Sequence, residues 1–378
     1  MIYDVLVIGG GISGASVAFE LANAGSNVLV LEQESAPGYH STGRSAALFT
    51  RNYGGPVVRQ INAASAPFFA SPPNGFCDAP LLTPRGSLTV ASAEAVDGLL
   101  PLLAMSEPGH EVVEITPEEA VARVPYLRLE RVAAAIFEAD VSDIDVAGLH
   151  QGYLKGIAKR GGTVATREAV TGLSHEASVW TVQTQKNTYR AKTLVNSAGA
   201  WADEVGLMAG ARPIGLVPMR RTGIIIDAPP GLDLVKSPAV DFVASGAYIK
   251  PEAGKLMASP GDATPTIPQD VRPEELDIAH LAHWIETETL ITVRRISHSW
   301  AGLRSFVADG APVVGFDEQA PDFLWVAGQG GYGIMMAPAL AQIAADLVLG
   351  RAAVPGRSNF GLNTQSISPQ RLSLAPLS

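Results

Sequence analysis

The stretch VLVIGGGISGASVAFELANAGSNVLVLE, residues 5–32, decides the fold. An apolar run from Tyr3 to Ile8 suits a buried parallel strand, and Gly9, Gly11 and Gly14 then fit G-x-G-x-x-G. From Ser13 to Ala24 the apolar residues fall at helical spacing, Gly25 stops the helix, and NVLVLE reads as a second strand. In such a βαβ unit Gly9 permits a tight turn, Gly11 lets a pyrophosphate approach the backbone, and Gly14 lets helix pack on strand. Glu32, eighteen residues after Gly14, stands where an acid binds ribose hydroxyls. The pattern predicts nucleotide binding and leaves the choice between NAD and FAD open.

Two other readings of this stretch are weaker. A signal peptide or membrane span would need a basic n-region, which is missing, and Glu20 interrupts the apolar run. The Gly10-to-Gly14 spacing also fits a membrane-helix dimer motif, but three adjacent glycines suit a turn better. The expectation is a soluble cytoplasmic protein with no transmembrane segment.

The whole chain supports that reading. Its 378 residues are 47% hydrophobic and 17% charged, enough for more than one core. A net charge of −10 argues against a nucleic-acid partner, because that affinity rests on neutralising phosphates. A small anionic ligand would need its own local cations. Cys77 is the single cysteine, which excludes intramolecular disulfides and thiolate metal sites.

Beyond residue 32 the patterning alternates between two characters. Residues 56 to 72 read as a helix ended by proline, PRGSLTVASAEA as a strand and PEEAVARVPYL as a short capped helix. Asp145 reads as the N-cap of VAGLHQGYLKGIAKR, terminated by Gly161 and Gly162. GTVATREAVTGL and YRAKTLVNSAGA return to strand patterning. Residues 215 to 305 hold strand-like runs, including a hairpin at Glu252, Ala253 and Gly254. DFLWVAG and the helix GYGIMMAPALAQIAADLVLG follow, and the tail from Pro355 carries no motif.

Three later stretches bear on the ligand. HSTGRSAALF, residues 40–49, sets Arg44 among small and hydroxyl side chains that allow phosphates or a flavin ring to approach. GQGGYGIMMAP puts glycines at a helix start, where amides and the positive helix end favour developing negative charge. The run WAGLRSFVADGAPVVG places Arg304 among mostly apolar residues.

Taken in order, VLVIGGGISGASVAFELANAG, PGYHSTGRSAA, VNSAGAWAD, WAGLRSFVADGAPVVG and VAGQGGYGIMMAP resemble the D-amino-acid oxidase and dehydrogenase superfamily of FAD enzymes. Within it the likeness is to bacterial D-amino-acid dehydrogenases of the D-arginine type, from the first residues to about residue 350. The resemblance implies an α/β protein: a Rossmann-like FAD-binding domain and a discontinuous α+β substrate domain on an antiparallel sheet. Residues 1–80, 145–214 and 306–378 would form the first, and 81–144 and 215–305 the second.

The same resemblance implies site residues. For non-covalent FAD they are Gly9, Gly11, Ile12, Ser13, Gly14, Glu32 and Gln33; the loop Ser41, Thr42, Gly43, Arg44, Ser45, Ala46 and Ala47; and Val170 at the adenine. Ala198, Gly199 and Trp201 would border the cofactor with Gly302 and Arg304, and Gly330, Gly331, Tyr332, Gly333, Ile334 and Met335 would hold the flavin ring. Arg221 and Arg304 match positions that bind the amino-acid carboxylate, Tyr248 adds a hydroxyl, Tyr53 lies on a covering loop, FTRNYGG, and Gly331 lies where the amine is held. Each charge-assisted contact is worth about 1.5–3 kcal/mol.

Two departures bear on the substrate. Relatives that favour cationic side chains carry an acid where this chain has Ser87, and a histidine where it has Leu48. With Phe49, Phe242, Met335 and Met336 as pocket lining, apolar or small D-amino acids are expected. The implied reaction is hydride transfer from Cα to flavin N5, giving an imino acid and then a 2-oxo acid and ammonia, with O2, a quinone or another acceptor taking the electrons. Glycine, sarcosine, another secondary amine or a 2-hydroxy acid is the alternative substrate on this scaffold. A flavin-carrying protein without turnover is the alternative outside enzymes. No metal is expected: His280, His283 and Glu286 share a helix face but read as a solvated surface. His40 raises covalent flavin attachment, which the nearer relatives lack.

Overall fold

The computed structural model describes residues 1–106, 109–351 and 362–374. The opening stretch forms strand β1 (Tyr3–Ile8), helix α1 (Ile12–Asn23) and strand β2 (Val28–Glu32). Every residue of β2 is buried, as a strand covered on both faces requires. β1 is the centre of an eight-stranded sheet, parallel to β2 on one side and to Thr188–Asn196 on the other. The strand Thr163–Thr166 runs parallel to β2, and Phe323–Ala327 parallel to the end of Thr188–Asn196. The antiparallel strands Val170–Glu176, Val179–Thr184 and Val313–Phe316 complete it. Helices α1, Val146–Lys159 and Gly333–Val348 pack one apolar cluster, and Trp180, Phe323 and Trp325 fill another.

A second sheet has nine strands. Val217–Ile226 and Ile296–Phe306 pair over ten registered positions, and Lys255–Ser259, Tyr248–Glu252, Ala239–Phe242, Ser87–Ala91, Ala134–Glu138 and Val112–Ile115 extend the sheet in that order. Thr264–Pro265 adds a short edge. The pairing is antiparallel except between Ala239–Phe242 and Ser87–Ala91, which run parallel where the two halves of the excursion meet. One face lies on the helix Glu275–Glu288 through Leu88, Val240, Ile249, Leu281 and Ile285. The hairpin turns at Ala253 and Gly254, both at positive φ (47° and 79°), the geometry of a two-residue hairpin loop.

Several elements differ from the sequence reading. PRGSLTVASAEA is interrupted: Leu82–Pro84 joins Leu48–Phe49 and Ser142–Ile144 in a small third sheet, and the nine-stranded sheet takes up only Ser87–Ala91. GTVATREAVTGL is two strands of the same sheet, broken at Arg167, which takes φ 56°. Part of the tail, which carries no motif, packs on the domain: Ile367 is fully buried, and Arg371 Nε donates to Asp309 Oδ2 at 2.7 Å. Residues 352–361, including Pro355, and 375–378 lie outside the described residues. Among the described residues no helix is long and apolar enough to cross a membrane.

Candidate active site

A single long cleft runs from the C-terminal ends of β1 and β2 to the inner face of the nine-stranded sheet. Its first end is built by the glycine turn. Gly9 takes φ 105°, and a Cβ there would meet Ser197 O at 2.4 Å. A Cβ on Gly14 would meet Gly9 O at 1.9 Å, so helix and strand are packed as closely as glycine allows. The buried Glu32 carboxylate lines the cleft and braces its rim, accepting from Gly10 N and Glu34 N at 2.9 Å each. Both oxygens keep lone pairs for further donors. Gln33, Glu168 and Val170 stand beside it. Beneath the turn, burial lowers the pKa of His150, and its Nε2 lies 2.9 Å from Gly10 O. A neutral imidazole donating there fixes the turn.

The loop from residue 39 to 46 forms the next wall, with Ser41, Thr42, Arg44, Ser45 and Ala46 lining the cleft. Ile12 N donates to Thr42 Oγ1 at 2.9 Å, and Ser41 Oγ donates to Leu303 O at 2.6 Å. Arg44, placed at the cofactor by the resemblance, lines the cleft with its guanidinium already engaged. Its Nη1 donates to Val271 O (3.0 Å) and Ala301 O (2.9 Å), and its Nη2 pairs with Asp270. The guanidinium straps the loop to the opposite sheet, and its charge is already balanced. Ala47 faces the core and Gly43 closes a turn on Gly38 O; neither lines the cleft. His40 lines it, 2.9 Å from Glu34 Oε1.

Ile12, Ser13, Ala198, Gly199, Trp201, Gly302, Gly330, Gly331, Gly333 and Ile334 carry the wall onward. Gly330 has φ 51°, and a Cβ there would meet Phe306 Cε1 at 2.1 Å. Tyr332 and Met335 stand behind the wall, outside the lining. Phe49, Met335 and Met336 are 6%, 5% and 0% exposed in the core, and Phe242 packs on Trp284 on the far face. That removes the expected apolar pocket lining, since sequence cannot say which side of a helix or strand these residues present. Met257 and Trp300 line the cleft instead, unforeseen because only strand pairing sets their direction.

The inner end gathers the cations. Neighbours on a strand point to opposite faces, so Arg220 turns outward to Glu274 and Asp277, while Arg221 turns into the cleft. Arg304, three residues from Ala301 on the adjacent strand, joins it, with Nη2 3.5 Å from Tyr248 Oη. A Cβ on Gly331 would stand 3.0 Å from Arg304 Nη1. Burial and the Arg304 charge lower the pKa of Arg221, whose nearest acid is Asp262 at 3.9 Å. Burial also weighs against the Arg304 charge, but the hydroxyls of Tyr248, Tyr53 and Tyr332 outweigh it and raise its pKa. Among the described residues Arg304 has no acidic partner. Tyr53 lies at the rim, 46% exposed, its ring 5.0 Å from that of Tyr332. Its loop is held by Thr50 Oγ1 and Asn52 Nδ2, which donate to Glu138 at 2.6 and 3.1 Å.

Gln329 was not foreseen. Its Oε1 accepts from Ser13 Oγ at 2.7 Å, while its buried Nε2 has no partner and lies on the cleft wall. An orphan donor in a glycine-walled trough, with an acid at the ribose end, fits a long polar dinucleotide cofactor. No group of three or more His, Cys, Asp or Glu among the described residues could hold a metal. His280, His283 and Glu286 are exposed on their helix.

Comparison with known proteins agrees. A family described as FAD dependent oxidoreductase matches residues 4–347. Glycine oxidase of Geobacillus kaustophilus is 25% identical over 378 aligned residues, covering 92% of this chain and 93% of that enzyme. Human mitochondrial dimethylglycine dehydrogenase is 25% identical over 92% of this chain, which spans only 42% of that protein. The solved L-proline dehydrogenase from P. horikoshii superposes with a TM-score of 0.83 at 23% identity, covering 98% of each chain. With the glycine turn, the buried acid after β2 and a match across nearly its whole length, the chain belongs to the family of FAD-dependent oxidoreductases.

Proposed function

We propose that this protein oxidises D-amino acids to imino acids, which water converts to 2-oxo acids and ammonia. The observation that carries the reading is the meeting of Arg221 and Arg304 beside Tyr248 and Gly331: among the described residues Arg304 has no acidic partner, and Arg221 reaches only Asp262, at 3.9 Å. Buried unpaired guanidinium groups are costly, and a ligand carboxylate held by both forks relieves that cost. Residues 1–80, 145–214 and 306–378 serve as the cofactor domain in this reading, and 81–144 and 215–305 as the substrate domain.

Gly9, Gly11, Ser13, Glu32, Thr42 and the Gly330–Ile334 wall would hold FAD, with Gln329 Nε2 as a further donor. Bound there, FAD supplies the acceptor for the two electrons that leave the substrate. The groups acting on Arg304 are tyrosine hydroxyls rather than carboxylates or imidazoles. The protein therefore orients the substrate rather than deprotonating it, and the amine enters catalysis neutral. Tyr53, at the rim, covers the site and excludes water. Oxygen, a quinone or a dye then takes the electrons.

Glycine and N-methylated glycines are the second reading, supported by the similarity to glycine oxidase and dimethylglycine dehydrogenase. Anaerobic mixing with a panel of D- and L-amino acids, glycine, sarcosine and dimethylglycine, followed by loss of the yellow flavin absorbance, decides between them. Bleaching by D-amino acids is expected; bleaching by glycine derivatives alone would overturn the first reading. Rate constants for bleaching should rise with pH through the pKa of each substrate's own amine.

A further inference from the structure

The inner face of the nine-stranded sheet continues past the arginines. Tyr248 is registered opposite Asp241, Ala239 opposite Ser87, and Ser87 opposite Glu138. Registered partners share a face and side chains alternate along each strand. Tyr248, Asp241, Ser87 and Glu138 therefore share one face, Ser87 and Glu138 one step along the strands from Asp241, while Leu88, Val240 and Ile249 occupy the other face beneath the helix Glu275–Glu288.

Asp241 lies deep on this face. Ser87 Oγ donates to its Oδ2 at 3.3 Å, and among the described residues no cation pairs with it. Burial pushes its carboxyl up to about 6. Nearby cations are already engaged: Arg85 with Asp143 at 2.7 Å, and Lys250 with Asp143 at 3.0 Å and Glu252 at 2.8 Å. Among the described residues one sheet face thus carries Arg304 without an acidic partner, with Arg221 only 3.9 Å from Asp262, on one side of Tyr248, and a carboxylate without a cation on the other. A ligand that neutralises both ends is charged at both ends.

We propose that Asp241 determines substrate specificity by pairing with an ammonium or guanidinium group at the end of the substrate's side chain, while Arg221 and Arg304 hold its carboxylate. The side chain runs past the Tyr248 ring, and Ser87 Oγ steadies the Asp241 carboxylate. The acid that Ser87 does not supply comes from the neighbouring strand. The preferred substrates are basic amino acids, in place of the apolar or small ones expected from sequence. This rests on the reading of Arg221 and Arg304 as the carboxylate site.

The test uses the FAD-loaded protein and Asp241→Asn, with anaerobic flavin bleaching by D-lysine against D-norleucine and by D-arginine against D-citrulline. The wild type should favour each basic substrate by at least about tenfold in kcat/KM, as expected where a site is built to pair a charged group. Asp241→Asn should abolish that preference and leave D-norleucine within about threefold. Equal wild-type rates for lysine and norleucine, or an equal loss of both in the variant, would overturn the proposal while leaving amino-acid oxidation standing. If no amino acid of either kind bleaches the flavin or perturbs its absorbance, the functional reading falls and this proposal with it.

Discussion

Arg220 and Arg221 are adjacent in the chain and have opposite fates. Arg220 meets Glu274, Asp277 at 2.8 Å and Asp262 at 3.9 Å; Arg221 faces Arg304. Arg304→Ala and Arg221→Ala should each raise KM by roughly ten- to a hundredfold, the loss of one charge-assisted contact, with FAD still bound. Arg220→Ala should leave KM unchanged and lower Tm by a few degrees at most. Steady-state kinetics beside thermal melts separate the two. Asp241 carries a stability cost as well. Its folded carboxyl sits at about 6 against an ordinary 3.8, so the folded chain binds this proton more tightly than the unfolded one. Its contribution is most favourable below pH 3.8 and is lost as pH rises through 6. Glu138, also raised by burial, and Tyr248 are the titratable groups that share its face, and Lys250 follows on the Tyr248 strand. Asp241→Asn should therefore stabilise the protein above pH 6 by up to about 3 kcal/mol, at about 1.4 kcal/mol per unit, with the gain vanishing in acid. Denaturant titrations at pH 4 and pH 7.5 measure it; an equal effect at both would refute it.

At the scale of elements, what could be read depended on whether the cause was local. The β1–α1–β2 unit was legible because period, glycine spacing and terminal acid all lie within thirty residues. The Asp145 cap and the Ala253–Gly254 turn were legible for the same reason, Asp145 Oδ1 accepting from Gly148 N at 2.8 Å. The break at Arg167 was not, since a φ of 56° on an arginine has no marker in the sequence. Nor were contacts set by distant pairing: Arg44 meets Asp270, 226 residues away, and Asp241 joins the face of Tyr248 through strand registry alone. Arg221 and Arg304 were found through a family pattern, and the structure brings them together. The tightness of the first unit predicts its sensitivity. In Gly14→Ala the Cβ would lie 1.9 Å from Gly9 O, so α1 must shift off β1, destabilising the fold by about 1–3 kcal/mol or more and releasing FAD. Gly55→Ala, where a Cβ meets nothing within 4 Å and which lies off the cleft lining, should keep its FAD; the flavin absorbance retained after gel filtration reads both outcomes.

On the scale of the whole molecule, the cleft lies where two sheets meet, and side chains of two loops cross between them. Thr50 and Asn52 tie the covering loop to Glu138 of the nine-stranded sheet, and Asn62 Nδ2 steadies the same loop through Tyr53 O at 3.1 Å. The loop from residue 39 to 46 reaches the same sheet on both sides of Gly302: Arg44 bonds Ala301 O and Ser41 bonds Leu303 O. The next residue on that strand is Arg304. Whatever orders this loop also orders the backbone that aims the guanidinium, so cofactor and carboxylate act on one shared piece of structure. In the proposed reading, thermodynamic reciprocity then requires that whatever equilibrium factor FAD lends a non-reacting carboxylate at Arg304, that carboxylate lends FAD in return. Saturating the protein with such an acid should preserve its yellow colour through dialysis, and cutting the Arg44 strap should weaken each ligand's help to the other before it weakens either alone.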